Sequence, residues 1–147
     1  MKKIAGIVLL AVLAACQQGT DYKVVRDDVM KFHDTVMADH GIIVSNQIKL
    51  DTLLKDFKAL KKAFPEMDTL KEGTAMTALK LELVKAENVM NNWMHQFEPD
   101  VTGKSNEEAV KYFEAEKKKI ADIDSIYKQE IKISNEYLIK FRKPLHN

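Results

Sequence analysis

The chain has 147 residues, of which 46% are hydrophobic and 31% charged, and its 23 basic residues nearly balance its 22 acidic ones. This balance lacks the basic excess of a nucleic-acid-binding surface, so we expect no nucleic-acid partner. The single cysteine excludes an intramolecular disulfide and a metal site built from several thiolates.

The first element in chain order is a secretory signal. Lys2 and Lys3 give the N-terminus a positive charge, and an apolar run follows over residues 4–15. This run is shorter than the about 20 apolar residues that a membrane-spanning helix needs. Residues 1–15 are therefore predicted to be a signal peptide that is removed after export.

The junction that follows, Leu13-Ala14-Ala15-Cys16, resembles the lipobox of bacterial lipoproteins. The resemblance implies that the Cys16 sulfur carries a diacylglyceryl group and that its amine is acylated, for example with palmitate, after cleavage. Three lipid chains would anchor the protein stably, because each buried methylene contributes about 0.8 kcal/mol. Residues 16–20 then form a lipidated tether on the periplasmic face of a bacterial outer membrane. The alternative is an ordinary signal peptide with a cysteine beside its cleavage site.

The first helical segment is predicted over residues 21–63, with the apolar spacing of a coiled-coil seam. Gly41 either divides this segment or lies within it at a cost of about 1 kcal/mol relative to alanine, and we expect one long helix bent there. The seam residues of its C-terminal half are Leu50, Leu53, Phe57, Leu60 and Phe64, and upstream the stripe is Met30, His33, Met37, His40 and Val44.

Two further long helices are predicted. The second covers about residues 68–97, ends before Pro99, and has a seam of Met76, Leu79, Leu83, Ala86, Met90, Trp93 and Phe97. The third opens with Ser105 and Glu108 at the spacing of a capping box. Its apolar positions are Phe113, Ile120, Ile123, Tyr127, Ile131, Ile133, Tyr137, Leu138 and Phe141.

Nothing in the sequence indicates a strand, so the predicted fold is all-α. Short loops between long helices favour antiparallel neighbours. Residues 21–147 are therefore predicted to form one domain, an antiparallel up-down-up bundle of three long helices.

One end of this bundle is predicted to collect histidine, methionine and aromatic residues: His33, Met37, His40, Met90, Trp93, Met94, Tyr112 and Phe113. Two stretches of this set, "FHDTVM" and "MNNWMHQF", resemble elements of small Bacteroidota lipoproteins that carry the label "viral A-type inclusion protein". The matching residues are His33, Asp34, Met37, Met90, Trp93, Met94 and Phe97. The resemblance implies an exported helical protein and brings no activity with it.

The cluster permits two interpretations. Thioether and imidazole ligands suit Cu(I), and His33 with Met37, like Met90 with Met94, are one helical turn apart, so these four residues are a candidate copper(I) site. Trp93 would lie against the bound cation. The simpler interpretation is core packing, because methionine fills irregular gaps and makes favourable contacts with aromatic rings.

Sequence patterns typical of a catalytic site are weaker than the pattern of the histidine and methionine cluster. His33 and Asp34 point about 100° apart on a helix, so their adjacency alone does not predict an acid–base pair. The acidic residues Glu107, Glu108, Glu114 and Glu116 are predicted to form a capped, solvated helix face. We therefore expect no enzyme and no cofactor, but a lipid-anchored structural or protein-interaction module of the cell envelope, whose partner is an envelope protein or a second copy. A periplasmic copper-buffering lipoprotein is the alternative.

Overall fold

The computed structural model describes residues 19–142, which form four α-helices and the loops between them. Helix α1 spans Tyr22–Lys55, α2 spans Phe57–Ala63, α3 spans Thr69–Gln96 and α4 spans Asn106–Ile139. Residues 19–142 contain no strand, so the all-helical prediction is confirmed. The predicted signal peptide, Cys16 and residues 143–147 lie outside the described residues.

The prediction of one helix over residues 21–63 is wrong, because the chain leaves the helical conformation at Asp56. This residue has φ −111° and ψ 45°, and its carboxylate accepts a hydrogen bond of 3.3 Å from the Ala59 amide. It thereby caps a new helix, α2, as aspartate does at many helix starts. The described residues therefore hold four helices, three long and one short.

Gly41, at which one long helix was favoured over a division into two, lies within the uninterrupted α1, so the favoured prediction is confirmed at this residue. Val36 and Ile43, on either side of it, are completely buried. Packing of the apolar face thus holds the helix together across a residue of low helix propensity.

Side-chain caps fix the starts of the later helices. Asp68 accepts from the Lys71 amide at the start of α3. At α4 the predicted capping box is confirmed: the Ser105 hydroxyl accepts from the Glu108 amide at 3.2 Å, and the Glu108 carboxylate accepts from the Ser105 amide at 2.8 Å. The second bond lowers the pKa of Glu108, because it stabilises the ionised carboxylate.

Contacts between the helices give their directions. Helix α1 and helix α4 run the same way, because the contacting residues advance along both helices together. These pairs are Asp28 with Lys117, His40 with Tyr127, and Asn46 with Ser134. Helix α3 runs opposite to α1, since His33 lies beside Trp93 whereas Asp51, further along α1, binds Lys80.

The stripe predicted for the first half of α1 is wrong by one position. Met30 and Met37 are 38% and 37% exposed. A step of one residue turns the side chain by about 100° on a helix, so the buried stripe consists of the β-branched residues just before these methionines. Spaced seven residues apart, the completely buried positions are Val29, Val36, Ile43 and Leu50.

The other two seams agree better with the sequence. On α3 every predicted position from Met76 to Trp93 is buried, and Phe97 packs partly buried at its end. On α4 the prediction that Ile133 is a core position is wrong, because Ile133 is 42% exposed and Ser134 takes the inward position. None of the helices within residues 19–142 has the length and apolarity needed to cross a membrane.

Candidate functional site

The structure places His33 against Trp93, with 6.1 Å between the ring centroids. The His33 Nδ1 lies 3.1 Å from the Asp34 carboxylate, so these sequence neighbours do form a hydrogen bond. The Asp34 side chain is 78% exposed, which gives the pair a solvated surface environment. This bond occupies Nδ1 and leaves Nε2 as the nitrogen that is available to another partner.

The methionines of the predicted copper site occupy different environments. Met90 is completely buried in the core, whereas Met37 and Met94 are partly exposed. Within residues 19–142, no group of three or more His, Cys, Asp or Glu side chains is arranged to hold a metal ion. Copper(I) binding by His33, Met37, Met90 and Met94 stays a prediction.

Aromatic rings form a connected layer at this end of the bundle. Trp93 stacks on Phe97 with 4.8 Å between the centroids, and Phe97 lies 6.3 Å from Phe113. Tyr22 and Tyr112 flank Phe113 at 6.1 and 5.1 Å. The layer therefore joins α1, α3 and α4 through aromatic contacts.

Glu116, which was assigned to a solvated face, is 5% exposed, so that part of the prediction is wrong. Its carboxylate accepts a hydrogen bond of 2.9 Å from the Trp93 indole nitrogen and pairs with Lys119 at 2.7 Å. The hydrogen bond to Glu116 also raises the pKa of Lys119. Its place in the seam could have indicated burial, since it lies three residues after Phe113 and four before Ile120.

His40 lies apart from this layer and contacts Tyr127, a contact that the sequence pattern did not indicate. The His40 Nδ1 is 3.2 Å from the Tyr127 hydroxyl, and the two rings stack at 6.3 Å. Burial of Tyr127, together with the negative charge of Glu87, raises the pKa of the phenol to about 12. The hydroxyl therefore keeps its proton at neutral pH.

An open concave surface lies on the other end of the bundle, between α3 and the junction of α1 with α2. It encloses about 680 Å³ and has no charged residue in its lining. Leu70 and Leu81 on its α3 side are 82% and 53% exposed. We call this surface the α2–α3 groove; its lining residues are Leu54, Phe57, Thr69, Leu70, Gly73, Thr74, Thr77, Ala78 and Leu81.

Two of the three threonines that line the α2–α3 groove donate their hydroxyl protons within α3. The Thr74 hydroxyl donates to the Leu70 carbonyl and the Thr77 hydroxyl donates to the Gly73 carbonyl, at 2.9 and 2.8 Å. These threonines offer methyl groups and no free donor proton to the groove. The surface is apolar in effect, which is the property of protein-docking sites.

Charged residues of both signs flank the lining residues of the α2–α3 groove in the chain. Lys58 and Lys71 are exposed, and so are Asp56, Asp68 and Glu82. The surface therefore offers a partner apolar contact and no preference for one sign of charge.

No protein-family model, no curated protein and no solved structure matches this chain.

Proposed function

We propose that the protein is a lipid-anchored, non-enzymatic interaction module of the bacterial cell envelope, tethered through Cys16 at the outer membrane and facing the periplasm. In this proposal its three long helices act as one antiparallel bundle, with α2 extending α1. The observation that carries the interaction role is the uncharged α2–α3 groove with two exposed leucines. Exposed apolar surface of this kind is costly in water unless a partner covers it.

The proposed partner segment is an amphipathic helix that docks through its apolar face. Leu70 and Leu81 are eleven residues apart on α3, which is about 16 Å at 1.5 Å per residue. That length corresponds to about three turns of a docked helix, whose leucines at positions i, i+4 and i+7 would lie in the groove.

A pair of synthetic helical peptides tests the docking proposal. Both have the same polar face, and one carries the leucine stripe whereas the other has glutamine in place of each leucine. We expect the leucine peptide to bind and the glutamine peptide to bind at least about tenfold more weakly, a difference of about 1.4 kcal/mol. Fluorescence anisotropy of labelled peptide measures both affinities.

Matched variants locate the binding surface. The double variant Leu70→Glu/Leu81→Glu should abolish binding of the leucine peptide, since it places charge in the groove. Val24→Glu/Ile139→Glu introduces the same charges at exposed apolar positions outside the groove and should retain binding. Equal binding by both double variants contradicts the proposal. Sedimentation of the unmodified chain distinguishes peptide docking from self-association. A dimer that forms with increasing concentration and is lost in Leu70→Glu/Leu81→Glu would identify a second copy of the chain as the partner.

The lipid anchor is tested separately by mass spectrometry of the full chain purified from bacterial membranes. We expect Cys16 as the first residue of the mature protein, carrying diacylglyceryl and acyl groups. Cys16→Ser should leave the precursor uncleaved at this position and without lipid. An unmodified Cys16 in the native protein rules out the anchor and leaves the docking proposal to stand by itself.

A further inference from the structure

A second groove lies between α1 and α4, near the ends of both helices. It encloses about 380 Å³, and Leu53, Leu138 and Phe141 contribute apolar walls. This volume is in the range of about 300–1,000 Å³ that is typical of small-molecule sites. We call it the α1–α4 groove, and it is distinct from the α2–α3 groove because the two share no lining residue.

A polar network beside the groove fixes the orientation of two amides. The Lys49 ammonium can only donate, so the Asn46 atom 3.1 Å away is the amide oxygen. The Asn46 amide nitrogen therefore points the other way and donates to Ser134 at 2.8 Å and to Asn135 at 2.9 Å. Since the Asn135 atom must accept, it is the oxygen, and the Asn135 amide nitrogen is the end left for another partner.

The hydrogen bonds of this network leave several N–H groups free toward the groove. The amide oxygens of Asn46 and Asn135 each accept one hydrogen bond, whereas the Thr52 hydroxyl donates its proton to the Ile48 carbonyl at 2.8 Å and keeps only acceptor lone pairs. The polar groups that line the α1–α4 groove and retain free N–H bonds are Lys49, Asn135 and Arg142.

The charged residues that line the α1–α4 groove are basic. Lys49 and Arg142 are the charged residues among the eight that line the groove, and none of the eight is acidic. An apolar floor with two cations and an amide donor at its edge complements a molecule with an apolar body and an anionic head.

We propose that the α1–α4 groove binds a single-chain amphiphile with a carboxylate head group, that is, a fatty acid. The chain would lie along Leu53, Leu138 and Phe141, and the carboxylate would accept hydrogen bonds from Arg142 and Asn135 beside the Lys49 ammonium. The volume suits one alkyl chain better than the two chains of a phospholipid. This proposal does not depend on the docking role of the α2–α3 groove.

Calorimetric titration of the full chain with three ten-carbon probes tests the proposal. Decanoate is expected to bind with one-to-one stoichiometry. Decanol, which has the same chain without the charge, should bind about tenfold more weakly, and decylamine, with the opposite charge, should not bind measurably. Equal affinity for decanoate and decanol overturns the proposal, as does the absence of decanoate binding.

Variants assign the head-group and chain positions. Arg142→Gln should weaken decanoate binding about tenfold and leave decanol binding unchanged, because it removes a charged donor to the carboxylate and the Arg142 side chain makes no hydrogen bond to other described residues. Thr52→Trp should block both probes by filling the groove. Lys58→Gln/Lys62→Gln, which removes two exposed charges from α2, should bind decanoate as the unmodified chain does; a loss as large as that of Arg142→Gln shows non-specific charge attraction and overturns the proposal.

Two further arms distinguish other occupants. Residues 143–147 follow Arg142 directly, so the chain ending at Arg142 is titrated in parallel. If decanoate binds to the shortened chain but not to the full chain, residues 143–147 occupy the groove and the proposal is overturned. If the protein co-sediments with phosphatidylglycerol vesicles but does not bind decanoate, the surface binds lipid head groups, and this result also overturns the proposal.

Discussion

The buried Glu116 shows how one carboxylate serves two partners at the aromatic end of the bundle. It accepts from the Trp93 indole and pairs with Lys119, which extends toward solvent. A buried indole N–H needs an acceptor, and a buried carboxylate needs compensating donors. The Trp93 and Glu116 positions are therefore coupled, although they are 23 residues apart.

Glu116→Ala should destabilise the protein by about 1–3 kcal/mol, because it leaves the Trp93 N–H buried without an acceptor. Urea unfolding followed by the fluorescence of Trp93, the single tryptophan, measures the change. Glu114→Ala, an exposed position on the same helix, is the matched control and should change stability by less than about 0.5 kcal/mol. Similar losses in both variants contradict the assigned role of Glu116.

The raised pKa of Tyr127 predicts a loss of stability at alkaline pH. The pKa of its phenol is raised from 10 to about 12, chiefly by burial. Below pH 10 the folded and unfolded chains both hold this proton, so the contribution to stability is fully present. Between pH 10 and about 12 the unfolded chain releases the proton and the folded chain keeps it, so the free energy of unfolding falls.

We expect Tyr127→Phe to show a shallower fall in the free energy of unfolding above pH 10 than the unmodified chain. Urea unfolding monitored by circular dichroism at a series of pH values measures both slopes. Absorbance at 295 nm should report one late-ionising phenol fewer in the variant than in the unmodified chain, in which burial also raises the pKa of Tyr137. An unchanged slope in Tyr127→Phe would assign the alkaline loss to other groups.

At the scale of the element, backbone geometry decides which glycines matter. Gly41 lies inside α1, and a Cβ placed there would meet no atom within 4 Å. Gly103 has φ +88°, a conformation that residues with a Cβ rarely adopt, in the loop before α4. The same substitution should therefore have opposite effects at these two positions.

Gly41→Ala should stabilise the protein by about 0.4–1 kcal/mol, since alanine has the higher helix propensity and restricts the unfolded chain. Gly103→Ala should destabilise it by about 1–2 kcal/mol through left-handed backbone strain. Thermal unfolding of both variants beside the unmodified chain measures the two shifts. A gain at Gly103 or a loss at Gly41 would show that the local backbone differs from that described.

At the scale of the whole molecule, the buried Asn46 network aligns α1 with α4. Asn46 is completely buried, and its amide bonds to Ser134, to Asn135 and to Lys49. A polar residue at a seam position fixes the register of packed helices, because a shifted partner would leave its amide without hydrogen bonds. The two helices are joined here by residues 88 and 89 positions apart in the chain.

Asn46→Ala should lower the free energy of unfolding by about 2–4 kcal/mol, as it removes buried hydrogen bonds and leaves a cavity. Asn92→Ala, an exposed position on α3, provides a control of the same chemistry. Chemical denaturation measures both, and hydrogen exchange should show faster opening of the α1–α4 interface in Asn46→Ala. A loss below 0.5 kcal/mol would mean that the network adds little to the packing.

The sequence by itself determined the elements that depend on local chemistry. Apolar periodicity was sufficient for an all-helical fold and for the α3 seam, and the spacing of Ser105 and Glu108 was sufficient for the capping box, because these signals act within one or two helical turns. The predicted lipid anchor at Cys16 also depends on a short contiguous motif.

Only the tertiary structure decided which face of α1 is buried, that α1 ends at Asp56, and that Glu116 and Asn46 are inside. The predicted stripe and the buried stripe on α1 are offset by a single residue, and the contacts with α3 and α4 select the buried one. Polar residues enter a core only where a distant side chain completes their hydrogen bonds, as Trp93 does for Glu116 and Ser134 does for Asn46. Such partners are 23 and 88 residues away in the chain, beyond the reach of any local pattern.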